Sequence, residues 1–146
     1  MRPDCNPSRR RWMIGAAGVL LAGHAAAEAS PERAPFVAQA FEMRRRAIVA
    51  GDQAYGAVVV KDGRVVGEGV SAVVTRGDPS AHAEIEALRD AMRRLGTQDL
   101  SGCELYGTSR ACGMCEPAAA RARIARMYYG PEGRDAGAPR GVPAQF

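Results

Sequence analysis

The chain has 146 residues, 47% hydrophobic and 25% charged, which is enough for one domain with a single core and too apolar for a disordered chain. Its formal net charge of +4 is uneven: residues 1–27 carry Arg2, Arg9, Arg10 and Arg11 against Asp4 alone, leaving 16 bases against 15 acids in the rest, so a basic body gives no argument for a nucleic-acid partner. Three of the four cysteines lie beyond residue 27, too few for a multi-disulfide scaffold.

The first 27 residues read as an export signal. Arg9-Arg10-Arg11-Trp12 precedes an apolar run from Ile14 to Ala22, and Ala25-Ala26-Ala27 offers an A-x-A cleavage site. The run is too short to span a bilayer as a permanent helix. Paired arginines directly before an aromatic residue resemble the twin-arginine signal, which predicts a periplasmic or secreted protein that meets the membrane only during export. An ordinary secretory signal and an uncleaved amphipathic start are the alternatives. His24 stands where a lipoprotein signal needs cysteine, so no lipid anchor is expected. Cys5 and His24 would leave with the leader and count toward no site.

Residues 28–35 are polar and alanine-rich, a flexible lead-in. From Phe36 to Ala50 apolar residues recur at helical spacing, with Gly51 as the stop and Arg44, Arg45 and Arg46 as a solvated face. Two valine-rich strands, Tyr55 to Lys61 and Val65 to Val70, flank Asp62-Gly63, the signature of a tight hairpin. Val73 to Thr75 extends the second. Asp78 can cap a helix whose first turn holds Pro79 and which runs to about Leu95, with Ile85, Leu88, Ala91, Met92 and Leu95 on one face and Gly96 ending it. A strand from Cys103 to Thr108, a helix from Cys112 to about Arg123 and a strand from Ile124 to Tyr129 follow. Residues 130–146 show no period and read as a surface tail. Strands alternating with helices predict an α/β sandwich with a partly parallel sheet and no internal domain boundary.

Two segments carry the chemistry: Pro79-Ser80-Ala81-His82-Ala83-Glu84 and Ala111-Cys112-Gly113-Met114-Cys115-Glu116. His82, Cys112 and Cys115 supply the one His and two Cys of a catalytic zinc site, with the fourth position left for water. The C-x-x-C spacing puts both sulfurs on one side of a helical turn, where the helix N-terminus and the metal both favour thiolate. Glu84, two residues from the histidine, can sit beside the open position without being a ligand and carry protons, which makes the set a hydrolytic deaminase. Other readings stand beside this one. C-x-x-C at a helix start is also a redox signature, which explains the cysteines but neither His82 nor Glu84. A purely structural zinc needs a fourth strong ligand, which Cys103 would have to supply.

At these residues the chain resembles the zinc-dependent cytidine and deoxycytidylate deaminase superfamily, whose H-x-E and P-C-x-x-C signature has this division of roles. Within it, the chain is most similar to the branch of guanine, cytosine and tRNA adenosine deaminases. Asp78-Pro79-Ser80-Ala81-His82-Ala83-Glu84 matches the branch pattern D-P-x-A-H-A-E, and Cys112, Met114 and Cys115 match E-P-C-P-M-C. The resemblance spans about Phe36 to Gly137. It implies a three-layer α-β-α sandwich on a mixed five-stranded sheet over residues 36–137, the fifth strand lying in or near the fourth, with residues 138–146 as a tail. It further implies zinc on His82, Cys112 and Cys115, proton shuttling by Glu84, a base contact from the Ala83 backbone amide, and a homodimer.

The chain departs from that branch at three places. Arg110-Ala111 replaces Glu-Pro, Gly113 replaces the proline between the cysteines, and Ser71 stands where an asparagine grips the base. Arg110 beside the metal would suit a phosphate or carboxylate on the substrate, or would pair with a neighbouring acid. The expected function is a zinc hydrolase that takes the exocyclic amine from a free base, nucleoside or related small heterocycle, with Ser71, Ala83 and Arg110 as substrate contacts. The alternatives are a deaminase acting on tRNA and an idle zinc-binding or dimerisation module.

Overall fold

The computed structural model describes residues 29–141; the expected leader lies outside them, as do residues 28 and 142–146. The first helix, α1 (Ala34–Val49), begins two residues before the expected start, because Pro35 fits the first turn. It buries Val37, Ala40, Met43 and Ala47 along one stripe. Gly51 follows with φ 77° and turns the chain back.

The hairpin forms as the valine runs and Asp62-Gly63 require: β1 (Gly56–Lys61) pairs antiparallel with β2 (Arg64–Val70). Asp62 and Gly63 both have positive φ, 49° and 72°, the backbone that lets a two-residue turn follow the strands' twist. Val73 to Thr75 does not extend β2. Pairing ends at Gly56↔Val70, and Val73–Arg76 forms a short helix, α2. The Asp52 carboxylate explains the difference: Oδ2 accepts the amides of Val74 (3.0 Å) and Thr75 (2.7 Å), giving first-turn donors the partner a strand would have denied them.

The next helix, α3 (Ala83–Leu95), starts later than expected. Asp78 does not cap it, since its Oδ1 instead accepts the amide and hydroxyl of Ser80 in a local turn. His82 is the N-cap, with extended backbone. The buried stripe runs through Ala83, Ala87, Leu88 and Ala91, whereas Leu95 is exposed. Small residues dominate because α3 rests on the β2 backbone at Gly67 and Gly69. A Cβ on Gly69 would overlap the Ala83 carbonyl, and one on Gly67 would come within 2.7 Å of Ala91.

After β3 (Glu104–Gly107), helix α4 (Cys115–Arg121) begins three residues beyond the expected Cys112, which stays in the preceding loop. Strand β4 (Arg126–Tyr129) lies parallel to β3, with α4 as the crossover. The expected tail contains a fifth strand, β5 (Arg134–Gly137), antiparallel to β4 and later in the chain than the fourth-strand position expected for it. This edge strand buries little and carries no apolar alternation, and Arg126 grips Asp135 across the pair at 2.7 Å. Its one apolar side chain, Ala136, is too little to mark a strand in the sequence.

The sheet order is β2-β1-β3-β4-β5. Side chains alternate across it: Ala57, Val59, Leu105 and Met127 face α3 and α4, while Val58, Val60, Tyr106 and Tyr128 face α1. The result is the expected α-β-α sandwich with a mixed sheet. It brings the starts of α3 and α4 together beside the end of β3.

Candidate active site

His82 enters the site as the last residue before α3, Cys115 as the first of α4, and Cys112 from the loop between β3 and α4. The His82 Nδ1 lies 3.6 Å from the Cys112 sulfur and 3.5 Å from that of Cys115, and the two sulfurs are 3.5 Å apart. A tetrahedral zinc with Zn–S of about 2.3 Å and Zn–N of about 2.0–2.1 Å needs its ligand atoms roughly 3.5–3.8 Å apart, so the three atoms fit one ion. Cys103 is in the core, outside this group, and supplies no fourth ligand. With a histidine nitrogen meeting both sulfurs, the site has the donor set of a metal centre rather than of a dithiol pair.

Glu84, in the first turn of α3, points to the same place: its Oε2 is 3.7 Å from the Cys115 sulfur. Only 7% of it is exposed. Burial raises its pKa above the ordinary value, against smaller opposing effects of its own backbone amide, Cys115 and His82. Burial also pushes the Cys115 thiol up, and the Glu84 carboxylate adds to this. A dication between the ligands reverses that balance for the sulfur, since a coordinating thiol gives up its proton.

His82, Glu84 and Cys112 lie on the floor of an open cleft of about 750 Å³, with Cys115 buried. Arg44, Gln53, Ala54 and Tyr55 make one wall, and Thr108, Ser109 and Arg110 the other. The walls are tied together: Thr108 donates its amide to the Gly56 carbonyl at 3.0 Å, and its hydroxyl accepts the Gly56 amide at 3.2 Å. A Cβ on Gly107 would press on the Ser109 carbonyl at 3.0 Å and touch Glu84 Oε1 at an ordinary 3.6 Å.

The three expected substrate contacts are placed differently from one another. Arg110 lines the cleft. Ala83 is buried under the floor and does not line it. Ser71 is 2% exposed and outside the lining, and its hydroxyl donates to Asp52 Oδ1 at 2.8 Å. Asp52 also takes the amides of Gln53, Val74 and Thr75. Desolvation works against its charge, yet the hydrogen bonds from Thr75, Ser71 and Gln53 hold its carboxyl below the usual range.

Sequence reasoning missed Arg44, Gln53, Thr108 and Ser109. Thr108 and Ser109 had a signal, since polar residues between a strand end and Cys112 had to border the metal. Arg44 had none: it belongs to α1, read as a solvated face, and only the tertiary fold turns its Nε to the Ala54 carbonyl at 3.1 Å.

Comparison with known proteins agrees with this geometry. The chain is 38% identical over 94 residues to a tRNA-specific adenosine deaminase of Aquifex aeolicus (64% of this chain, 62% of that protein). It is 44% identical over 82 residues to a guanine deaminase of Bacillus subtilis (56% and 53%). It thus spans less than two thirds of the length of these relatives. Among solved structures, guanine deaminase from Bacillus subtilis superposes with a TM-score of 0.64 at 38% identity, covering 67% of this chain and 63% of that one. A structure from a study of A-to-I editing by tRNA:A34 deaminases superposes with a TM-score of 0.65 at 40% identity, covering 67% and 75%. Residues 31–131 match the family described as the cytidine and deoxycytidylate deaminase zinc-binding region, and the chain belongs to that family.

Proposed function

We propose that this protein is a zinc hydrolase that replaces the exocyclic amine of a small amino-heterocycle with oxygen, releasing ammonia. One observation carries the reading: His82, Cys112 and Cys115 converge within the spacing of one tetrahedral ion, with the Glu84 carboxylate beside them on the floor of an open cleft. Zinc held by these three residues supplies Lewis-acid activation of water. Glu84 takes a proton from the attacking water and delivers it to the amine. The water oxygen bonds to the amine-bearing carbon, the C–N bond breaks, and both water protons end on ring nitrogen or ammonia, so an amidine becomes an amide.

Replacing Glu84 by Gln should lower ammonia release by about 10²–10⁴-fold while zinc, measured by mass spectrometry of the metal, stays bound. Ammonia release at the parent rate in Glu84→Gln would refute the mechanism. An RNA substrate is a second reading, favoured by the Aquifex relative's name. The near balance of 16 bases and 15 acids beyond residue 27 weighs against it, because an RNA channel calls for a basic face. Ammonia released from a tRNA stem-loop and from no free base, nucleoside or nucleotide would decide for it. The idle-module reading requires zinc without turnover on any of them. Homodimerisation and twin-arginine export remain part of the proposal, the first by resemblance and the second on Arg10-Arg11-Trp12.

A further inference from the structure

An amino-heterocycle presents hydrogen-bond donors and acceptors side by side along one edge. A carboxamide, with an acceptor oxygen beside a donor nitrogen, meets two of them at once. Asn6 is the one asparagine of the chain, so beyond residue 27 such a group can come only from glutamine. Gln39 spends its Nε2 on Glu68 at 2.8 Å, Gln98 lines a separate depression beside Met92, and Gln145 falls outside the described residues. Gln53, by contrast, lines the cleft. The residue is exposed, and the hydrogen bonds it makes among the described residues are those of its backbone. That backbone is fixed from several sides. Asp52 Oδ1 accepts the Gln53 amide at 2.8 Å, and the Gln53 carbonyl accepts the Tyr55 amide at 2.7 Å. The Ala54 carbonyl accepts Arg44 Nε at 3.1 Å, and the Tyr55 carbonyl accepts the Ser71 amide at 3.3 Å. With each carbonyl of residues 53–55 engaged within the protein, this wall meets the cleft through its side chains. The same Asp52 Oδ1 also accepts the Ser71 hydroxyl at 2.8 Å. One oxygen therefore withdraws Ser71 from the cleft and sets the root of Gln53 at its wall. The other polar groups of the walls are less suited to reading an edge. Arg44 and Arg110 only donate, the Thr108 hydroxyl already accepts the Gly56 amide, and the hydroxyls of Tyr55 and Ser109 offer one atom where the carboxamide offers two.

We propose that Gln53 is the specificity-determining residue of the cleft, its carboxamide pairing with one donor and one acceptor on the edge of the heterocycle while the reacting carbon lies beside Glu84. This rests on the deaminase reading and deepens it. The test uses the zinc-loaded full-length protein with the free bases and nucleosides of adenine, guanine and cytosine, whose edges differ in the order of donors and acceptors. Binding is measured by calorimetry in the Glu84→Gln background, which prevents turnover, and ammonia release with Glu84 intact. Among the three bases or the three nucleosides, the tightest should bind about tenfold or more tighter than the weakest, the size of one or two hydrogen bonds. In Gln53→Leu that spread should fall to about threefold or less, the loss falling on the tightest binder. In Gln53→Glu, where a carboxylate only accepts, the order of the three should change. A merely structural role for Gln53 would weaken all three alike. Ser71→Ala should keep the order found with Ser71. Melting curves of the variants exclude loss of folding as the cause. Equal binding of the three, or binding of none, overturns the inference, as does a uniform loss or a spread and order that survive both Gln53 substitutions. A spread lost in Ser71→Ala and kept in Gln53→Leu returns the reading of the base to Ser71 and overturns it as well. Ammonia release whose selectivity among the bases is unchanged in Gln53→Leu overturns it and leaves the deaminase reading intact. A spread that Gln53→Leu abolishes, with no ammonia from any member, upholds Gln53 as the base contact and sinks the deaminase reading.

Discussion

Cys103 and Cys115 have the same side chain and are both buried, yet their surroundings assign them to different work. Cys103 sits among Leu100, Leu105 and Ile124 in the core, where a thiol behaves as a small hydrophobe. Cys115 meets His82 Nδ1 at 3.5 Å. Cys103→Ala should therefore retain zinc through dialysis and Cys115→Ala should lose it, as read by metal analysis of the purified proteins. Zinc lost from both variants equally would mean that Cys103 belongs to the centre. The sequence marked His82, Glu84, Cys112 and Cys115 because those residue types at those spacings have few other joint uses. It was silent on Ser71's partner, since Asp52 lies 19 residues away and only folding places its carboxylate at 2.8 Å.

At the level of elements, the position of Glu84 depends on how closely α3 rests on β2. Gly67 and Gly69 have no Cβ, so the helix backbone touches the strand backbone, and the helix start is held where its first turn reaches the metal ligands. Gly69→Ala should lower stability by about 1–3 kcal/mol through overpacking, seen as a lower urea midpoint. Ammonia release should also fall, because the helix carrying Glu84 must shift. An unchanged midpoint would show that the contact is not close in solution. Elements with strong periodicity were legible: α1, the hairpin and β3 lie within two residues of expectation. Those that failed were decided by partners that no periodicity marks, whether distant like Asp52 or close in the chain like β4. α2 is a helix because Asp52 satisfies its amides, and β5 is a strand because β4 offers it an edge.

For the whole molecule, the charge divides between an arginine-rich leader and a nearly neutral remainder. The metal ligands come from two segments separated by 30 residues between His82 and Cys112, and they meet only when α3 and α4 have packed on the sheet. A chain unfolded during transport would carry no assembled site, whereas a twin-arginine route passes folded protein, which suits the proposed export. Replacing Arg10 and Arg11 together by Lys should keep the protein in the cytoplasm at full length and zinc-loaded, with the parent recovered outside it after cleavage near Ala27; fractionation and intact mass measure both. Export of the lysine variant at the parent level would assign the leader to the ordinary secretory route. Among the described residues no helix is long and apolar enough to cross a membrane.

By itself the sequence determined which residues are set out for chemistry: the His and Cys ligand types, the acid proposed to carry protons and the α/β alternation are properties of local spacing, readable wherever a motif needs only its neighbours. Tertiary structure decided what surrounds that chemistry. It withdrew Ser71 from the cleft by giving its hydroxyl to Asp52, brought Arg44 to the wall, and gave Glu116 to Arg140. Each outcome turns on competition between groups distant in the chain for one hydrogen-bond partner, and a linear pattern carries no record of which partner wins.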